Sequence, residues 1–188
     1  SEKLEYCHDC VKKKAGGHMM YCRQGKSLFL YKGEIRKAIY RFKYSNRREY
    51  ARFFAEKAAQ EYTDWVRQIK IDVIVPVPMY ARKKRYRGYN QAEIFAYELA
   101  KIWKIPMKAD ALKRVRNTKP QKYLSDQERK NNLKKAFQAA DFIVKYKSIL
   151  IVDDIYTTGS TVESVAQELY LHGVESVCFL TLCRGEGM

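Results

Sequence analysis

Residues 149–161 read ILIVDDIYTTGST. Four apolar residues run into two adjacent acids, Asp153 and Asp154, and then into short hydroxyl residues around one glycine. A short apolar run of this kind predicts a strand buried on both faces. In open α/β sheets, ligands bind at the carboxyl ends of the strands, and the two acids fall at such an end. The loop from Ile155 to Gly159 then feeds a helix expected to start near Ser160 or Thr161. A helix N-terminus presents free N–H groups and a partial positive charge. Gly159 lets the backbone approach a ligand closely, and Thr157, Thr158, Ser160 and Thr161 add hydroxyl donors. Together they form a cradle for one phosphate group. The acids repel phosphate, so they belong a sugar's width away, accepting hydrogen bonds from ribose hydroxyls with Mg²⁺ nearby. The stretch reads as a grip for a ribose 5-phosphate. An ordinary capped helix would leave two adjacent acids at a buried strand end without partners, which is costly.

The flanking chain supports an α/β domain. "IDVIVPVP", 71–78, is a second buried strand whose prolines mark its exit from the sheet. "QAEIFAYELAKIW", 91–103, predicts an amphipathic helix with Ile94, Phe95, Leu99 and Ile102 on one face. "STVESVAQELYLHG" predicts a helix ending at Gly173, and "VESVCFLTLCR", 174–184, a final strand. Strand and helix in alternation imply a mainly parallel sheet flanked by helices. Residues 33–69 are helical in pattern, with Ile35, Ile39 and Phe42 recurring at helical spacing and "FKYSNRREY" as a turn. "MYARKKRYRGYN", 79–90, reads as a basic loop. Residues 1–30 form a small separate module, and 31–188 the main domain.

The composition of the 188 residues is that of a globular protein, with 46% hydrophobic and 31% charged residues. No apolar run approaches the ~20 residues of a membrane span. The opening "SEKLEYCHDC" is too polar for a secretory leader, and the absence of an initiator Met reads as a processed or trimmed start. A formal net charge of +16 favours a polyanionic partner, such as nucleic acid, an acidic protein or phosphorylated small molecules. The five cysteines are Cys7, Cys10, Cys22, Cys178 and Cys183. An odd count with no sign of secretion favours thiols over disulfides.

Competing phosphate sites lack their motifs. No G-x-x-x-x-G-K-[ST] or G-x-G-x-x-G occurs in the chain. An aspartyl-phosphate phosphatase wants two acids separated by one residue, and Ile155 stands at that position. "VDDIYTTGST" instead resembles the motif by which type I phosphoribosyltransferases bind 5-phosphoribosyl-1-pyrophosphate (PRPP). The narrower resemblance is to the competence protein F family. Its matching pieces are residues 74–100, 114–137 and the PRPP motif, with Arg87-Gly88-Tyr89-Asn90-Gln91 particularly characteristic. The resemblance implies a type I phosphoribosyltransferase-like fold. It also implies that Asp153 and Asp154, the candidate catalytic residues, bind the ribose hydroxyls, and that Thr157 to Thr161 bind the 5-phosphate. It further implies a cytoplasmic role in DNA uptake during natural transformation, beside a helicase-like partner.

In type I enzymes the loop after an early strand binds pyrophosphate. Here the corresponding residues include Arg82, Lys83, Lys84, Arg85, Arg87 and Gly88. A dense anion calls for such cations, with Arg87, Gly88 and Arg82 the foremost candidates. The interleaved Tyr80, Tyr86 and Tyr89 suit stacking on single-stranded DNA equally well. Residues 114–133 suggest a cover over the site, leading into a helix capped at Ser125 with Glu128 in the capping-box position. Thr118, Gln121 and Arg129 match family positions, and Arg114, Lys119 and Lys122 are placed to close on pyrophosphate. Cys7 and Cys10 have zinc-knuckle spacing, and Cys22 follows. A structural Zn²⁺ needs four ligands, and two readings stand: cysteines upstream of this chain complete the set, or His8 or His18 does. Cys178 and Cys183 are expected in the core.

Overall fold

The computed structural model describes residues 21–115 and 136–185. A four-stranded, all-parallel sheet forms the centre, in the order β1 (Gln24–Leu30), β6 (Ser176–Arg184), β5 (Ser148–Tyr156), β2 (Val73–Pro76). The two middle strands are continuous apolar runs because both of their faces are covered. On one face lie α1 (Gly33–Tyr44), α2 (Tyr50–Ile69) and α4 (Gln91–Trp103), packed on Ile74, Leu150, Val152, Cys178 and Leu180. The other face carries α5 (Ser160–Leu171), a 3₁₀ turn (Asp141–Lys145) and a small antiparallel pair, β3 (Leu112–Arg114) with β4 (Phe137–Ala139). These pack on Val73, Val75, Ile149, Ile151, Val177 and Phe179. The alternation along β2 and β5 assigns successive side chains to opposite layers. No helix among the described residues is long and apolar enough to cross a membrane.

The chain leaves β2 through α4 on one face and leaves β5 through α5 on the other. The crevice between β2 and β5 is therefore a switch point of the kind that binds ligands. Pairing of β2 with β5 stops at Pro76↔Val152, one residue before the acids. β5 itself continues to Tyr156, still paired to β6 through Ile155↔Cys183 and Tyr156↔Arg184. The acids thus stand inside a long strand, at the point where its neighbour departs, and not at the strand's last residue.

Three other expectations are corrected. Residues 24–30, grouped with the N-terminal module, are an edge strand of the main sheet, where Phe29 and Leu28 are fully buried. Gly25 in that strand lies over the ring of Phe179, and a Cβ there would fall on the ring itself. The basic stretch after β2 is not all loop: Ala81–Arg87 form a short helix, α3, with no buried residue to give it an apolar period. On α4, Ile102 is 40% exposed, and the buried face is Gln91, Ala92, Phe95, Ala96 and Leu99. Cys178 and Cys183 are fully buried, as expected.

Candidate functional site

The acids divide their attention between the two layers. Asp154 reaches towards the helices of the first face and forms a 2.6 Å ion pair with Lys43 in the last turn of α1. Both side chains are largely enclosed, at 15% exposed for Lys43 and 20% for Asp154. Burial works against the Lys43 ammonium, but Asp154, with help from Asp153, outweighs it and holds its pKa above the ordinary value. Asp153 lies within the field of Arg114 on β3, from the other layer. Its Oδ1 accepts a 2.8 Å hydrogen bond from the Asp154 backbone N–H. Burial, and then the charge of Asp154, push the Asp153 carboxyl up to about 7, against the opposing pull of that N–H, Lys43 and Arg114. Sequence reading did not find Lys43, because α1 reaches the acids only through the fold.

The Arg-Gly-Tyr-Asn-Gln segment closes the cationic side of the crevice, and each of its residues has a distinct task. Arg87, the last residue of α3, is held by Gln91, with Nη1 donating to Oε1 at 2.7 Å. Its guanidinium lies over the ring of Tyr44, 4.8 Å from the centroid, and Nη2 approaches the Tyr44 hydroxyl at 3.3 Å. Gly88 ends α3 in the left-handed region at φ +85°. Tyr89 is buried and donates its hydroxyl to the Phe42 carbonyl of α1. The Asn90 carboxamide oxygen caps α4 by accepting from Ala92 N–H at 3.2 Å, and its NH₂ donates to the Val77 carbonyl at 2.9 Å. Gln91 is completely buried, and its NH₂ has no acceptor among the described residues.

Several cations converge on this side. Lys83 is pushed down by partial burial and by Arg114 and Arg87. Arg114 is lowered by burial, against the attraction of Asp153. So Lys83, Arg87 and Arg114 share one electrostatic neighbourhood with Lys43 and the acids. Arg82 lies exposed on α3, and Lys84 pairs with Glu93 of α4 at 2.7 Å. Of the three interleaved tyrosines, Tyr89 is removed from any role in base stacking by its burial, whereas Tyr86 is 91% exposed.

Beyond the acids, the hydroxyl-rich loop turns into α5 as expected. Gly159 sits at the N-cap with φ +76°, a conformation that favours glycine. A Cβ there would also stand 2.5 Å from the Tyr156 hydroxyl. Tyr156 is stacked flat on Phe179, with 5.0 Å between ring centroids and a 2° interplanar angle. The Thr158 and Ser160 hydroxyls share a 2.7 Å hydrogen bond. Thr157 and Thr158 are exposed, and Ser160 and Thr161 are half-buried in the first turn. The helix start therefore offers backbone N–H donors and hydroxyls on the same side of the sheet end as the acids.

Cys22 lies just before β1, buried in the α5 layer, and burial, then Glu163 and Cys178, raise its thiol pKa. Cys7, Cys10, His8 and His18 lie outside the described residues, as do Thr118, Lys119, Gln121, Lys122, Ser125, Glu128 and Arg129 of the expected cover. Among the described residues, no group of three His, Cys, Asp or Glu side chains is placed to hold a metal.

A phosphoribosyl transferase domain model matches residues 48–187. Competence protein F of Haemophilus influenzae is 32% identical over 187 residues, which cover 96% of this chain and 79% of that protein. DNA utilization protein YhgH of Escherichia coli is 39% identical over 113 residues, 60% of this chain and 49% of that protein. Competence protein ComFC of Bacillus subtilis is 27% identical over 181 residues, 95% of this chain and 72% of that protein.

Proposed function

Because the chain belongs to the competence protein F family of phosphoribosyltransferase-like proteins, we propose that it binds PRPP at the β5 crevice in support of DNA uptake or utilization. One observation carries this reading. Two enclosed acids stand at the sheet's switch point, with a hydroxyl-rich helix start on one side and a cluster of cations on the other. A ligand matching all three parts carries a diol between two phosphate groups. Asp153 and Asp154 accept from the ribose hydroxyls. Residues 157–161 take the 5-phosphate through N–H and hydroxyl donors. Arg87, Lys83 and Arg114 face the pyrophosphate.

A Mg²⁺ ion held through one or two carboxylates and the ligand's own oxygens suits this donor set, and Asp153 and Asp154 are the residues that would hold it. Bound there, it would neutralise part of the pyrophosphate charge. In phosphoribosyl transfer the bond from ribose C1 to pyrophosphate breaks as an acceptor adds at C1. The chain's own contribution would be to fix the ribose and to stabilise the departing anion with Arg87 and its neighbours. Calorimetric titration of PRPP with Mg²⁺ tests the reading. Saturable binding to the wild type, lost in Asp153→Asn/Asp154→Asn, is expected. A folded wild type that binds no PRPP would sink it.

A second reading, single-stranded DNA binding, is favoured by α3, whose Arg82, Arg85 and Tyr86 are all exposed on the helix that also carries Lys83 and Arg87. Cations beside an open aromatic ring suit a phosphate backbone with stacked bases. The two activities are compatible. A cytoplasmic location, a helicase-like partner and a zinc held by Cys7 and Cys10 belong to the same proposal and rest on the family resemblance.

A further inference from the structure

We propose that Lys43 is a specificity residue of the PRPP site: it neutralises Asp154 while the pocket is empty and turns to the ligand's pyrophosphate when ribose hydroxyls take its place. The inference rests on the PRPP reading above. It starts from a competition. A ribose hydroxyl that reaches Asp154 Oδ2 contends with Lys43 Nζ, which holds that oxygen at 2.6 Å. The ammonium is too enclosed to retreat into bulk water, since only 15% of its side chain is exposed. Among the described residues Asp153 also attracts it and Arg87 repels it, and in the PRPP reading Asp153 is itself taken up by the ribose.

A buried ammonium without a counter-charge is costly. Displacement from Asp154 is therefore favourable only if the ligand itself brings an anion within reach. Arg87 acts directly on the Lys43 ammonium and repels it. The ammonium is therefore within the field of the cationic side of the crevice, where the proposed pyrophosphate lies. The consequence is coupling between two parts of one ligand. A sugar with a 5-phosphate but only a neutral hydroxyl at C1 displaces Lys43 without bringing an anion to that side. PRPP displaces it and supplies the replacement partner. Lys43 thus penalises ribose 5-phosphate, the hydrolysis product, relative to PRPP.

The test compares PRPP and ribose 5-phosphate, each with Mg²⁺, by calorimetric titration into the wild type and Lys43→Met. The expected result is a loss of PRPP affinity of about tenfold or more, the scale of one charge-assisted hydrogen bond. Ribose 5-phosphate affinity should hold or improve, so the preference between the two ligands collapses. An equal loss for both ligands would overturn the proposal, since Lys43 would then only hold Asp154 in place. Unchanged affinities would overturn it too. If the wild type binds no PRPP, the PRPP reading itself has failed and takes this inference with it. Should Lys43→Met not fold because Asp154 is left unpaired, Lys43→Gln keeps a hydrogen-bond donor for Asp154 while removing the charge. The same ratio is then read against the wild type, with the same collapse expected and an unchanged ratio overturning the proposal.

Discussion

At the scale of single residues, the carboxyl of Asp153 has the most distinctive expected behaviour. Its pKa is raised from 3.8 to about 7, first by burial and then by Asp154. The folded protein therefore holds a proton there that the unfolded chain releases near pH 4. Between these two values the native state binds more protons, so stability from this group falls as pH rises and levels off above about 7. Ligand binding should run the other way, because a ribose hydroxyl needs an ionised acceptor. We expect PRPP affinity to rise from about pH 6 to about pH 8 and Asp153→Asn to flatten that rise. An equally steep profile in the variant would show that another group is responsible. The acids and the hydroxyl loop were legible in the sequence because the chain places them side by side. Lys43 and Tyr44 were not. They lie in a stretch that reads as the run-up to a turn, and only the packing of α1 brings them to β5 and α3.

At the scale of elements, the periodic segments were legible and the short ones were not. Strands β2, β5 and β6 declare themselves by apolar runs, and α1, α2, α4 and α5 by helical spacing. The helix α3 escapes because none of its residues is buried, leaving nothing periodic to detect. The buried Gln91 on α4 breaks the expected pattern for a reason the structure supplies: it holds Arg87. Asn90 is where elements are joined. It caps α4 and ties the helix to the end of β2 through the Val77 carbonyl. Asn90→Ala should cost about 1 kcal/mol for the lost cap and about 1 kcal/mol or more for the carbonyl left buried. Urea denaturation would measure this as a lower midpoint with an unchanged slope. A loss under roughly 0.5 kcal/mol would mean the joint is held elsewhere.

At the scale of the whole molecule, an alternating α/β architecture was predictable, but strand order was not. No local pattern says that residues 24–30 return to pair with β6 at the sheet's far edge. Charge also acts at this scale. A net charge of +16 raises the local concentration of any polyanion, and exposed α3 gives that field a focus beside the crevice. If single-stranded DNA binds there, its affinity should fall steeply between roughly 50 and 200 mM salt. Arg85→Ala should lower the slope of that dependence by about 0.7. A salt-independent affinity, or a slope untouched by the substitution, would move the DNA surface away from α3.

The bare backbone of Gly25 has a reach well beyond its own strand. It leaves room for the Phe179 ring, Phe179 is the shelf on which Tyr156 lies, and the Tyr156 hydroxyl stands where a Cβ at Gly159 would be. Two glycines thus bracket a pair of stacked rings like spacers at the ends of a spring. A side chain added at either end must shift the same stack, so the path of the chain from Tyr156 into α5 depends on the edge strand as well as on Gly159 itself.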